Sequence, residues 1–347
     1  MVLNVIAIIG GVISIGWLLT EVVRTVVIPR PERVFLTWNA FETARRLARF
    51  LSRNRSPEHQ HRMLGSFAPI VLISLPLVWS AGLIVAFAAV FWGIGVGSVR
   101  EAVELSGSSL TTLGFVAAPT FLTRLVAVAE ALIGLAIVAL LISFLPTLYS
   151  TFSSREISVG RLTIRAGAPP TPEAFITRLH AIDRLHHVGD RWEEWEDWFV
   201  ELGETHTSFP ALIYFRSASL DKNWLTAAET AMDTAAILSA TGLVPPSGQA
   251  DTMIRSGYLA LRAIADLYRL PAENLDAKPG ELSVNRTHFE AVLDDLVANG
   301  IEIEIDHNQA WETFIGWRAN YDAAIGGLQG LLGPVPSHWA MRSIRND

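Results

Sequence analysis

Glu130 stands inside an apolar run, Leu125 to Leu145, that is long enough to cross a bilayer. An ionisable side chain at such a depth is a functional candidate by default. It lies six residues beyond Arg124, roughly 9 Å along a helix, too far for a same-face pair. A hydrogen bond to Ser106, Ser108 or Ser109 is expected instead, in preference to a proton-linked role. Further along, His180, His186 and His187 lie near Asp183 on one predicted helix. Metal binding needs converging ligands, and a solvated or capping role suits this spacing better. Trp192, Trp195, Trp198 and Phe199 recur at helical spacing among Glu193, Glu194, Glu196 and Asp197, which reads as core or subunit interface. Glu201 to Ser208 lacks the HExxH order of a zinc protease, and no G-x-S-x-G, P-loop or dinucleotide fingerprint is present. The glycines of Trp92 to Gly97 follow no predicted strand, so they carry no such fingerprint. No enzyme is expected.

The elements that position these residues divide the chain into four stretches. The 347 residues have mean hydropathy +0.34 and are 50% hydrophobic, concentrated before Ser150. Residues 1–28 hold an apolar run, Val2 to Leu19, without the basic front of a secretory signal. It is expected to be retained as a first span, with its amino terminus outside. Glu21 and Arg24 can pair on its surface or simply mark its end in the headgroups. Residues 29–66 carry eight arginines against three glutamates, while the rest of the chain is acidic, with formal charge −7 overall. Phe35, Trp38, Phe41, Leu47 and Phe50 interleave with these arginines, predicting an amphipathic helix on the inner membrane surface or a solvated linker. A basic block beside a span indicates cytoplasmic placement rather than nucleic-acid binding. Residues 67–150 hold two further spans, and residues 151–347 read as a mostly α-helical cytoplasmic domain. In that last stretch helices are predicted over 172–188, 190–204, 223–241, 249–270, 285–299 and 308–330. Thr171-Pro172-Glu173 is a helix start. Ile301 to Ile305 and Ser158 to Ile164 are candidate short strands. Residues 342–347 are expected to fray. There is no cysteine, which excludes disulfides and thiolate metal sites. Lysine is confined to Lys222 and Lys278, consistent with a bacterial source.

Between the second and third spans, a short polar helix candidate, Val99 to Ser109, precedes Thr111-Thr112-Leu113-Gly114-Phe115-Val116. This order of short helix, extended segment and spanning helix resembles the pore loop and inner helix of tetrameric potassium channels. The resemblance covers about a quarter of the chain, Phe67 to Ser150. TTLGFV stands where that family has TTVGYG, a filter whose carbonyls replace the ion's water shell. Gly114 supplies the first filter glycine, Phe115 replaces the tyrosine whose ring packs behind the filter, and Val116 replaces the second glycine. A β-branched residue at positive φ costs on the order of 1–3 kcal/mol, so a distorted outer ion site is expected. The family's supporting acid and the aspartate after its filter fall at Ser108 and Ala117. Gly134 matches a hinge glycine, although close helix packing explains it equally well. Pro146 permits a kink, and Phe144, Leu145 and Leu148 would ring an inner gate.

The expected fold is an all-α membrane protein with three transmembrane helices, one re-entrant pore loop and an α-helical carboxyl-terminal domain. The resemblance implies a homotetramer in a bacterial inner membrane that conducts cations passively, with potassium as the expected ion. Thr111, Thr112, Leu113, Gly114, Phe115 and Val116 would bind the permeant K⁺ or Na⁺. Ser108 and Glu130 would support the filter, and Gly134, Phe144 and Pro146 would serve the gate. The bilayer and the other copies are the expected partners, with no nucleic acid and no resident cofactor or metal. Two alternatives remain open: a non-selective cation channel, and a non-conducting scaffold or sensor whose working part is residues 151–347.

Overall fold

The structure, a computed structural model, describes residues 1–28, 33–270, 282–333 and 338–339. Residues 29–32, within the predicted amphipathic stretch, and 342–347 lie outside the described residues. The described residues are helical throughout, with no strand. They form two compact units: Met1–Leu51 with Ser66–Ser150, and Ser52–Gly65 with the described part of Thr151–Asp347.

The first unit contains α1 (Val2–Val26), α2 (Phe35–Ser52), most of α3 (Pro57–Gly93), α4 (Val99–Leu110) and the start of α5 (Phe121–Ala166). Helices α1, α3 and α5 are long and apolar enough to cross a membrane. Small residues bring α1 antiparallel against α3. A Cβ on Gly11 would come within 2.7 Å of the Ala86 carbonyl oxygen, and one on Gly93 within 2.7 Å of that of Asn4. Glu21 does not pair with Arg24: its Oε2 accepts the Leu36 amide, 2.9 Å away, at the start of α2. Helix α2 ends at Ser52, so the stretch predicted over 29–66 is two helices parted at Arg53–Ser56. Pro69 and Pro76 sit inside α3, and Pro146 inside α5, without ending either helix.

Helix α4 is fixed at both ends. Ser98 Oγ accepts the Glu101 amide at 3.3 Å, and Glu101 Oε2 accepts the Ser98 amide at 2.7 Å, a reciprocal cap that satisfies two orphan donors. At the other end Leu110 lies against Gly134 of α5, where an added Cβ would stand 2.1 Å from the Leu110 carbonyl oxygen. Close packing therefore accounts for Gly134.

The second unit is built around α8 (Trp224–Thr241), in which every residue but Ser239 is buried. An alanine-rich helix apolar on all sides is stable only when enclosed. It is enclosed by α6 (Pro172–Ala181), α9 (Gly248–Leu267), α11 (His307–Arg318) and α12 (Asp322–Leu332), with α7 (Gly189–Ser208) against α9 and α10 (Arg286–Ala298) against α6. The tryptophan stripe of α7 is core: Trp192, Trp195, Trp198 and Phe199 are all buried. Thr171 caps α6 as predicted, accepting the Ala174 amide at 3.3 Å, with Pro172 in the first turn.

Both predicted strands fail. Ser158 to Ile164 belongs to α5, because Arg155, Val159, Leu162 and Ala166 are buried at spacings of four and three. Ile301 to Ile305 does alternate, with Ile301 buried and Glu302 and Glu304 exposed, but it has no strand to pair with among the described residues. The helix predicted over 308–330 is interrupted at 319–321, between α11 and α12.

Arg155 is the polar anchor of this unit. It donates to the Leu212 and Phe215 carbonyls at 3.2 and 2.7 Å and to His206 Nε2 at 3.2 Å. His206 Nδ1 donates to the Leu202 carbonyl at 3.0 Å, which fixes the neutral tautomer. Burial, then the Arg155 charge, push the His206 ring down to about 3. The unfolded chain takes up this proton near pH 6.5 and the folded one does not. Stability is therefore expected to fall as pH drops from about 6.5 toward 3, by ~1.4 kcal/mol per pH unit from this group. Denaturation midpoints at pH 7 and pH 5 check it. His206→Gln should flatten that slope, and an unchanged slope would remove His206 as its source.

Candidate functional site

Residues 111–120 join α4 to α5, and four amides of 111–117 are bonded back to α4. The amides of Thr111, Thr112 and Gly114 donate back to the Gly107, Ser109 and Ser108 carbonyls, at 3.2, 3.0 and 3.3 Å. The Val116 amide donates to Ser108 Oγ at 3.0 Å. The carbonyls of residues 111–117, by contrast, accept no hydrogen bond from any described residue, and the first one engaged is Ala118, by Arg124 Nε at 3.1 Å. Thr111 is right-handed at φ −79°, Thr112 left-handed at +58° and Gly114 left-handed at +70°. The carbonyls of the segment are thus free acceptors among the described residues, while four of its amides are tied back to α4.

Of the two left-handed positions the sequence suggested, Gly114 is observed and Val116 is not. Val116 is not at positive φ, so the strain expected there is absent. Thr112 carries it instead, and as a β-branched residue at positive φ it is a strained position like the one expected of valine. Thr111, Thr112, Leu113 and Phe115 are exposed, with Leu113 at 72% and Phe115 at 64%. The Phe115 ring therefore does not pack within its own chain.

The support behind this segment is buried. Ser106 Oγ donates to Glu130 Oε1 at 2.5 Å and lies 3.0 Å from the Ile84 carbonyl, so α4 is held between α3 and α5 by one hydroxyl. Glu130 is fully buried, and Ser108 nearly so. Of the three serines expected near Glu130, Ser106 is the one that meets it. Ser108 Oγ instead accepts the Val116 amide directly.

Of the predicted gate residues, Phe144 and Leu148 are buried in the chain, whereas Leu145 is exposed. Pro146 leaves α5 continuous to Ala166. The Thr147 hydroxyl donates back to the Ser143 carbonyl at 3.0 Å beside it. His180, Asp183, His186 and His187 are exposed and hold nothing together.

One charged cluster was missed in the sequence. Arg318, 1% exposed, donates to Glu229 Oε1 at 2.9 Å, to Asp233 Oδ2 at 2.8 Å and to Asp322 Oδ1 at 2.8 Å. Tyr321 and Trp339 add hydrogen bonds to Asp233 at 2.6 and 2.8 Å. Burial pushes Asp233 up, but Arg318 and His338 overcome it and hold the carboxyl at about 2. Ligand atoms of Glu229, Asp233 and His338 lie within 4.8 Å of one another, a spacing open to a metal ion. The Arg318 guanidinium already fills the cationic role there, so the cluster reads as a structural ion-pair network. The available signal was Glu229 and Asp233, one turn apart in an otherwise apolar helix.

No protein-family model, curated protein or solved structure matches the chain.

Proposed function

We propose that the protein is a homotetrameric cation channel of a bacterial inner membrane, with potassium as its first candidate ion. The carbonyls of residues 111–117 carry this reading. They are a contiguous row of acceptors without partners, the requirement for replacing an ion's water shell. One chain supplies one such row, so several copies around an axis are needed to enclose an ion. In this reading the arginines of 29–66 lie on the cytoplasmic side, the amino terminus is outside, and the carboxyl-terminal unit is cytoplasmic.

A second reading, a cation channel that does not discriminate potassium, draws on the same segment. Only Thr112 and Gly114 of this segment are left-handed, and Val116 is not. The experiment that separates the readings is flux from liposomes containing the purified chain, with reversal potentials under bi-ionic potassium and sodium. Potassium preference supports the first reading and equal permeation the second. Absence of flux, with a particle mass below four chains, would favour a non-conducting scaffold. Ser108→Ala frees the Val116 amide and is expected to lower potassium preference severalfold without closing the path. A variant indistinguishable from the parent would remove Ser108 from filter support.

A further inference from the structure

Helix α2 buries one face and leaves another uncovered. Phe41 and Ala48, seven residues apart, are buried, and Arg45 between them is half-buried. Leu47, Phe50 and Leu51 are each more than half exposed, and they adjoin one another at spacings of three and four. Leu47 and Leu51 prolong the line of half-buried Leu36 and Ala40 along the helix. Asn39 and Arg46, seven apart and both exposed, form a polar line beside it. The apolar arc of α2 is thus wider than the part its own chain covers.

The start of α2 is fixed to the end of α1. Glu21 Oε2 accepts the Leu36 amide at 2.9 Å, and the Thr25 and Thr37 hydroxyls lie 2.8 Å apart. The ring centroids of Trp17 and Phe35 are 6.4 Å apart. Helix α1 is long and apolar enough to cross a membrane, so α2 begins where hydrocarbon gives way to headgroups. Tryptophan favours that depth. Residues 33–51 carry four arginines, at 33, 45, 46 and 49, against Glu42 alone. Glu42 already holds Arg45 and Arg46 of its own helix, both at 2.7 Å. A second copy laid on this face would bring arginines to arginines, with no spare carboxylate from these residues. Anionic headgroups supply the missing charge at the depth where acyl chains can cover Leu47 and Leu51. We propose that α2 lies in the membrane surface, with Leu47, Phe50 and Leu51 among acyl chains and Arg46 on the phosphates of anionic phospholipids. The surface is independent of the ion-conduction reading, since it uses no residue of 98–150.

The chain has no cysteine, so a single-cysteine variant carries one fluorescent label. Leu51→Cys and Asn39→Cys both fall at exposed positions and sample the apolar and the polar line. The full chain is labelled and placed in vesicles of phosphatidylcholine with phosphatidylglycerol. It is then quenched by nitroxide on the acyl chains, or by iodide on both sides of the vesicle. Nitroxide is expected to quench the label at 51 about threefold more than the one at 39, and iodide the reverse. Arg46→Gln in the Leu51→Cys background should cut the embedded-to-exposed ratio about fivefold. Vesicles without phosphatidylglycerol should cut it at least as far. Arg100→Gln, at an exposed arginine paired with Glu104, should leave it unchanged. Three results overturn the proposal. Equal iodide quenching at both positions makes α2 a solvated linker. Shielding of the label at 51 from both quenchers makes that face a contact between copies or with another protein. A nitroxide pattern that ignores both phosphatidylglycerol and Arg46→Gln removes anionic lipid as the partner.

Discussion

Arg318→Ala is expected to unfold the carboxyl-terminal unit. The substitution leaves Glu229, Asp233 and Asp322 buried beside one another without the guanidinium that joins them. Removing one partner of a buried ion pair costs about 3–5 kcal/mol, and this side chain serves three. Whole domains are stable by only about 5–15 kcal/mol. Lysine will not substitute, because a single ammonium cannot reach three carboxylates in a fixed fork. The measurement is chemical denaturation of the full chain in detergent, followed by tryptophan fluorescence, with limited proteolysis beside it. A midpoint equal to the parent's would refute the account. The change to Arg318→Met combined with Asp233→Asn and Glu229→Gln removes charge on both sides, and should recover part of the loss.

Gly134→Ala is expected to be the most damaging single methyl in the first unit. The added Cβ would stand 2.1 Å from the Leu110 carbonyl oxygen. That atom is backbone, so no rotamer change relieves the clash, and overpacking of this kind costs about 1–3 kcal/mol. Helix α4 must shift at its carboxyl end, and residues 111–116 begin there. The expected outcome is a lowered thermal midpoint in detergent and, under the proposed function, loss of ion flux. Gly107→Ala is the control: it lies in α4 with nothing within 4 Å, and alanine suits a helix interior. Equal midpoints for the two variants would show that the close approach at Gly134 has no energetic weight.

The sequence was most legible where one physical signal dominated. The apolar runs became α1, α3 and α5, and the short helix candidate Val99 to Ser109 became α4. Local periodicity misled where tertiary packing decided the outcome. Val159 and Leu162 continue the buried face of a long helix, which outweighs the short alternation around them. Ile301 to Ile305 alternates correctly, but a strand needs a neighbour, and no local pattern reveals whether one exists. The break at 319–321 is likewise accompanied by a non-local contact: Tyr321, between the two helices, donates its hydroxyl to buried Asp233 of α8. The handedness of Thr112, rather than Val116, follows from the amide bonds back to α4, which composition does not encode.

The row of carbonyls at 111–117 also decides which surroundings that side of the first unit can tolerate. A backbone acceptor facing hydrocarbon costs several kcal/mol when nothing donates to it, and here a whole row would be left so. Lipid is thus a suitable solvent for the flanks of α1 and α5 and a poor one for this edge. A solitary chain in a bilayer has no arrangement that satisfies both, unless water or another copy shields the edge. Under the proposed function, the membrane itself then disfavours the unassembled chain, and control of assembly is written into the backbone as a surface that lipid will not wet.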